Sequence, residues 1–91
     1  MSREVEIVNA LGLHARAAAR FVQSAGRFQA RVWITRSGRT VDGKSIMGIL
    51  LLAAARGTQI TISADGPDEQ DAVSALAHLV ETGFGEATWN G

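Results

Sequence analysis

His14 is the one histidine in the run Leu11, Gly12, Leu13, His14, Ala15, Arg16, Ala17, Ala18, Ala19, where a glycine-bearing loop gives way to an alanine-rich helix. Neutral imidazole is a nucleophile near pH 7 and needs no general base to attack phosphorus. A helix start adds unpaired backbone N–H groups and the positive end of the helix dipole, a combination that suits an anion. A histidine at that junction can take a phosphoryl group, bind an anion or cap the helix, and its position alone does not choose among them. The backbone N–H groups of Ala15, Arg16 and Ala17 can hold phosphoryl oxygens there, and the Arg16 side chain offers charge-assisted hydrogen bonds. A second helix start follows at Lys44, Ser45, Ile46, Met47, Gly48, where Ser45 on its own reads as an N-cap.

The elements that must position these residues are visible as periodicities. From Arg3 to Val8, Glu4 and Glu6 alternate with Val5 and Ile7, which predicts a strand with one buried face. A helix follows His14, with Ala18, Phe21, Val22 and Ala25 on its inward stripe, Arg16, Arg20 and Gln23 on the wet face, and Gly26 as its stop. Ala30, Val32 and Ile34 alternate between Gln29 and Thr35, and Ser37 and Gly38 turn the chain into a second strand over Arg39 to Asp42. A second helix is predicted from about Lys44 toward Arg56, with Gly57 as its C-terminal cap. Ile60, Ile62 and Ala64 mark a fourth strand. Pro67, Asp68, Glu69 and Asp71 then open a third helix, whose stripe is Val73, Leu76, Ala77 and Val80 and which ends near Thr82. The order β-α-β-β-α-β-α packs most economically as one twisted sheet with all the helices on one face, which leaves Trp33 exposed or half-exposed on the other. The 91 residues are expected to form a single domain, with 84–91 a loosely held tail.

Composition narrows the function classes. Nine basic and nine acidic residues cancel, so no overall field draws the protein to nucleic acid or anionic lipid. Trp33 with Arg36 and Arg39 is too sparse a set for a base-stacking surface, and no nucleic-acid partner is expected. The absence of cysteine excludes disulfides and thiolate metal sites, and two histidines make a weak metal case. The longest apolar stretch, Ile46 to Ala55, is about half the roughly 20 residues of a membrane-spanning helix, so no membrane insertion is expected. No basic segment followed by an apolar run opens the chain, and a cytoplasmic location is the expectation.

The two helix-start segments together resemble the HPr family, the small histidine phosphocarriers of the bacterial phosphoenolpyruvate-dependent phosphotransferase system. Leu11 to Arg16 resembles the family's phosphoacceptor motif, and Lys44 to Gly48 its regulatory serine motif. The resemblance covers Arg3 to about Glu86. It implies an α+β fold, an open-faced β-sandwich of four antiparallel strands under three helices. It also implies a carrier and not a stand-alone catalyst: His14 would be phosphorylated on Nδ1 by enzyme I and pass the group to an enzyme IIA domain, without metal or cofactor. Arg16 would assist transfer, and Ser45 would be open to a regulatory HPr kinase/phosphorylase. The family often has proline where this chain has Ala17, and alanine there resembles versions in nitrogen-related regulatory branches, so a sugar-uptake and a regulatory carrier both stay open. The alternative, from another class, is a protein-binding module whose partner changes with its phosphorylation state.

The second helix is apolar nearly all the way round. Ile49, Leu52 and Ala53 can face inward, which leaves Ile46, Met47, Leu50 or Leu51 as an exposed patch of the kind that marks a partner surface. The resemblance assigns Ile46, Met47 and Leu50 to the surface that meets enzyme I and enzyme IIA, with Arg16 and Arg20 as a positive rim. His78, one residue off the inward stripe of the third helix, is read as solvated. A monomer is expected.

Overall fold

The computed structural model describes residues 1–86. The elements run β1 (Ser2–Glu6), α1 (Ala15–Ala25), β2 (Arg31–Arg36), β3 (Arg39–Asp42), α2 (Ile46–Leu51), β4 (Gln59–Asp65), α3 (Glu69–Glu81) and a short 3-10 turn, Gly83–Gly85. All strand pairs are antiparallel and the sheet order is β1-β4-β2-β3. The fold is therefore the α+β sandwich that the sequence predicts.

Alternation decides the sheet's two faces. Val5, Val32, Ile34, Ile60, Ile62 and Ala64 point into one core with Phe21, Leu76 and Val80 from the helices. Trp33, Thr35 and Thr61 occupy the other face and stay half-exposed. The hairpin closes through Ser37 and Gly38, both at positive φ (50° and 81°), the backbone shape that matches the twist of paired strands. Among the described residues no helix is long and apolar enough to cross a membrane.

Two expectations need correction. The second helix stops at Leu51 and does not run on toward Arg56. Ala53 adopts φ 50° and breaks it, and its tail carbonyls are instead capped from the hairpin: Arg36 donates to Leu52 O at 2.8 Å and Arg39 to Leu51 O at 2.9 Å. Those two arginines are thus tied to α2. At the start of α3, Asp68 is the N-cap residue by position but makes no side-chain cap. Its carboxylate crosses to accept from Gln29 N and Ala30 N, at 2.9 and 2.8 Å, and these bonds, that from Gln29 foremost, pull its pKa below the usual value against the opposing effect of burial.

The second correction is the tail. Phe84 is fully buried at φ 61°, and the 3-10 turn around it is part of the core's rim. Residues 84–86 are therefore held in place; the remainder of the predicted tail, 87–91, lies outside the described residues.

Candidate functional site

The loop between β1 and α1 is shaped by Asn9 and Gly12. Gly12 N–H donates to Asn9 O at 3.1 Å, and the buried Asn9 side chain donates through Nδ2 to Gly12 O at 2.8 Å, which closes the turn from both sides. Gly12 sits at φ +66°, and a Cβ there would lie 2.5 Å from Ala54 O. Only glycine meets both conditions. Leu13 N–H then donates to Ala54 O at 2.9 Å, so the loop is clamped to the strand of chain that follows α2.

This clamp delivers His14 to the N-cap of α1 with an extended backbone (φ −78°, ψ 179°). Its carbonyl accepts from Ala18 N at 2.8 Å, and its Nδ1 accepts from Arg16 N at 3.2 Å. The capping and anion-site readings of the sequence therefore coexist. The cap uses ring nitrogen Nδ1, and the N–H groups of Ala15, Arg16 and Ala17 form the first turn, where no carbonyl of the helix is available to them. Ala15 and Arg16 are exposed, whereas the Ala17 side chain is fully buried against the core.

The other ring nitrogen has a partner that the sequence does not reveal. Nε2 lies 2.6 Å from Oε2 of Glu86, with the two side chains 24% and 19% exposed. Asn9 Nδ2 donates to the second carboxylate oxygen, Oε1, at 3.2 Å. Burial works against the Glu86 charge, but the hydrogen bonds from His14 and Asn9, with the nearby charge of Arg16, outweigh it and leave its pKa below the ordinary value. Asn9, His14 and Glu86 thus form one chain of contacts around the imidazole.

Arg20 is exposed, and its guanidinium donates to Phe84 O, which fastens the 3-10 turn that leads to Glu86. Ser45 is the N-cap of α2, with Oγ accepting from Gly48 N at 3.1 Å. In the helix that follows, Met47 (69% exposed), Leu51 (62%) and Ile46 (42%) are the exposed apolar side chains. Leu50 is half-buried and packs against the core, and Ala53 is exposed, so Leu51 replaces Leu50 on the outer face and Ala53 does not point inward. His78 is exposed, in keeping with its reading as a solvated residue.

Comparisons with known proteins point to one family. Residues 1–82 match the family model described as the PTS HPr component phosphorylation site. The phosphocarrier protein HPr of Cupriavidus necator is 51% identical over 86 residues, which is 94% of this chain and 97% of that protein. The crystal structure of HPr-C-His from Thermoanaerobacter tengcongensis superposes with a TM-score of 0.92 at 44% identity, covering 96% of this chain and 98% of that one. The crystal structure of an HPr dimer from the same organism gives 0.76 at 46% identity, over 90% and 94% of the two chains. With the whole described fold and both helix-start segments inside these matches, the chain belongs to the HPr family of the phosphotransferase system.

Proposed function

We propose that this protein is a phosphocarrier that takes a phosphoryl group on Nδ1 of His14 from phosphorylated enzyme I, and ultimately from phosphoenolpyruvate, and passes it to an enzyme IIA domain of a sugar or nitrogen-related phosphotransferase system. The observation that carries this reading is the orientation of the ring, with Nδ1 over the first turn of α1 and Nε2 taken by Glu86. At 3.2 Å the bond from Arg16 N to Nδ1 is long and easily exchanged. An incoming phosphorus displaces it and frees Arg16 N–H, with those of Ala15 and Ala17, for the phosphoryl oxygens. Arg16 supplies the charge that balances the phosphoryl group in transfer. Being built at the protein surface and not in a cavity, the site is open to a second protein on either side of the transfer.

The exposed Ile46, Met47 and Leu51 beside Ser45 form the surface proposed to meet enzyme I and enzyme IIA in turn. Methionine suits a surface with more than one partner. A phosphate placed on Ser45 by an HPr kinase/phosphorylase would add charge at the N-terminal edge of that patch and oppose docking without unfolding α2. Because one chain assembles the whole His14 cluster, the monomer is proposed as the working unit, acting in the cytoplasm where phosphoenolpyruvate is made. Sedimentation during turnover checks this.

The experiment that tests the function mixes the protein with enzyme I and phosphoenolpyruvate and follows incorporated phosphate. The expected product is acid-labile and alkali-stable, and it disappears in His14→Ala. Undiminished incorporation in that variant overturns the assignment.

A further inference from the structure

We infer that Glu86, held by Asn9, is a positioning residue that fixes the proton of His14 on Nε2 and so decides which ring nitrogen takes the phosphoryl group. This inference rests on the phosphocarrier reading of His14. A carboxylate only accepts hydrogen bonds, so an Nε2···Oε2 distance of 2.6 Å requires the proton to sit on Nε2. The ring's lone pair is then on Nδ1, where it accepts from Arg16 N. Asn9 supports the arrangement from behind: one Nδ2 spans Gly12 O at 2.8 Å and Glu86 Oε1 at 3.2 Å, tying the carboxylate to the loop that carries the histidine. On the opposite side, Arg20 fastens Phe84 O and so anchors the turn that presents Glu86.

The proton and electron balance shows what this arrangement does during transfer. As the Nδ1–P bond forms, the donor's bond to phosphorus breaks and its electron pair returns to the donor. His14 keeps its Nε2 proton, so its ring becomes an imidazolium carrying the phosphoryl group, and the Glu86 carboxylate lies against the new positive charge. On transfer to an acceptor, the Nδ1–P bond breaks, its electron pair returns to Nδ1, and the ring leaves as neutral Nε2–H imidazole. No proton has to enter or leave in either direction. A carboxylate that orients and charge-balances a histidine in this way has the same role as the aspartate of a hydrolase triad. Without it the deprotonated phosphoimidazole forms more readily, and its leaving group would be an unfavourable imidazolate anion.

A small donor separates this inference from the reading on which it rests. Phosphoramidate phosphorylates histidine without any docking protein, and a His78→Gln background leaves His14 as the one histidine. Nitrogen-15 spectra of the labelled protein identify which ring nitrogen carries phosphorus. The parent sequence is expected to give the Nδ1 isomer at least tenfold over the Nε2 isomer, and Glu86→Ala to shift that ratio at least tenfold toward Nε2. An unchanged isomer ratio in Glu86→Ala, with an amide spectrum like that of the parent, overturns the inference. Glu86→Gln isolates the charge, since its amide oxygen still accepts from Nε2–H. It is expected to retain the Nδ1 isomer and yet to slow turnover with enzyme I about tenfold at unchanged KM, with Glu86→Asp recovering part of the loss. A Glu86→Gln protein that turns over at the parent rate removes the charge-balancing role. If enzyme I fails to phosphorylate the parent protein, the phosphocarrier reading falls while the isomer ratio remains readable.

Discussion

At the scale of single residues, the site is a set of short-range constraints on one imidazole. His14 and Arg16 are legible in the sequence because the helix start that makes them useful is local: the cap, the first-turn N–H groups and the arginine lie within four positions. Glu86 is not legible. It is 72 positions from His14 and sits among glycines that read as a tail, and nothing in the local pattern links it to Asn9. Asn9 carries a faint signal, a polar residue three positions before a glycine, which is a turn pattern. The prediction at this scale concerns Gly12, whose positive φ and close approach to Ala54 O leave no room for a Cβ. Gly12→Ala is expected to cost roughly 2–4 kcal/mol of stability from left-handed strain plus overpacking, measured by urea unfolding. It should also lower phosphate incorporation, because the loop it distorts carries the histidine.

At the scale of elements, periodicity locates the strands and the two long helices, whereas the end of α2 escapes it. The apolar run from Ile46 to Leu52 continues into Ala53, Ala54 and Ala55, all good helix formers, so propensity favours extension through Arg56. Tertiary contacts override it. Ala54 O is needed by Leu13 N, and Arg36 and Arg39 from the hairpin satisfy the carbonyls of Leu52 and Leu51, so the chain must leave the helix at Ala53. Alanine at φ 50° is strained there. Ala53→Gly is expected to raise stability by about 0.5–1 kcal/mol, the relief of left-handed strain less the added entropy of the unfolded chain. A higher urea midpoint with an unchanged slope would show it. Within α2 the phase of the helix leaves Leu51 exposed and packs Leu50 against the core, which sets which side chains form the apolar patch.

At the scale of the whole molecule, two carboxylates tie distant parts of the chain together. Asp68 joins the start of α3 to the approach to β2, and Glu86 joins the end of the described chain to the β1–α1 loop. Both have pKa values below the ordinary ones, Asp68 chiefly through its bond from Gln29 and Glu86 through bonds and a nearby charge that outweigh its burial. A depressed folded pKa means that the unfolded chain binds protons more readily. The stability these groups contribute is full above the ordinary carboxylate range, about pH 4–5, and is lost as pH falls through their lower folded values. Stability is therefore expected to fall from pH 5 toward pH 2. Glu86→Gln should be less stable than the parent at pH 7 and should lose less on acidification, as thermal unfolding across that range would show. An equal acid loss in both proteins would count against the Glu86 linkage.

By itself the sequence determined the strands, the two long helices, the common apolar core and the two helix starts with His14, Arg16 and Ser45, because each depends on residues within a turn or two of one another. Only the tertiary structure decided where α2 ends, that Arg20, Arg36 and Arg39 serve as fasteners, and that Glu86 closes on His14. Those outcomes depend on which carbonyls and side chains meet across elements far apart in the chain, and hydrophobic periodicity carries no record of such meetings.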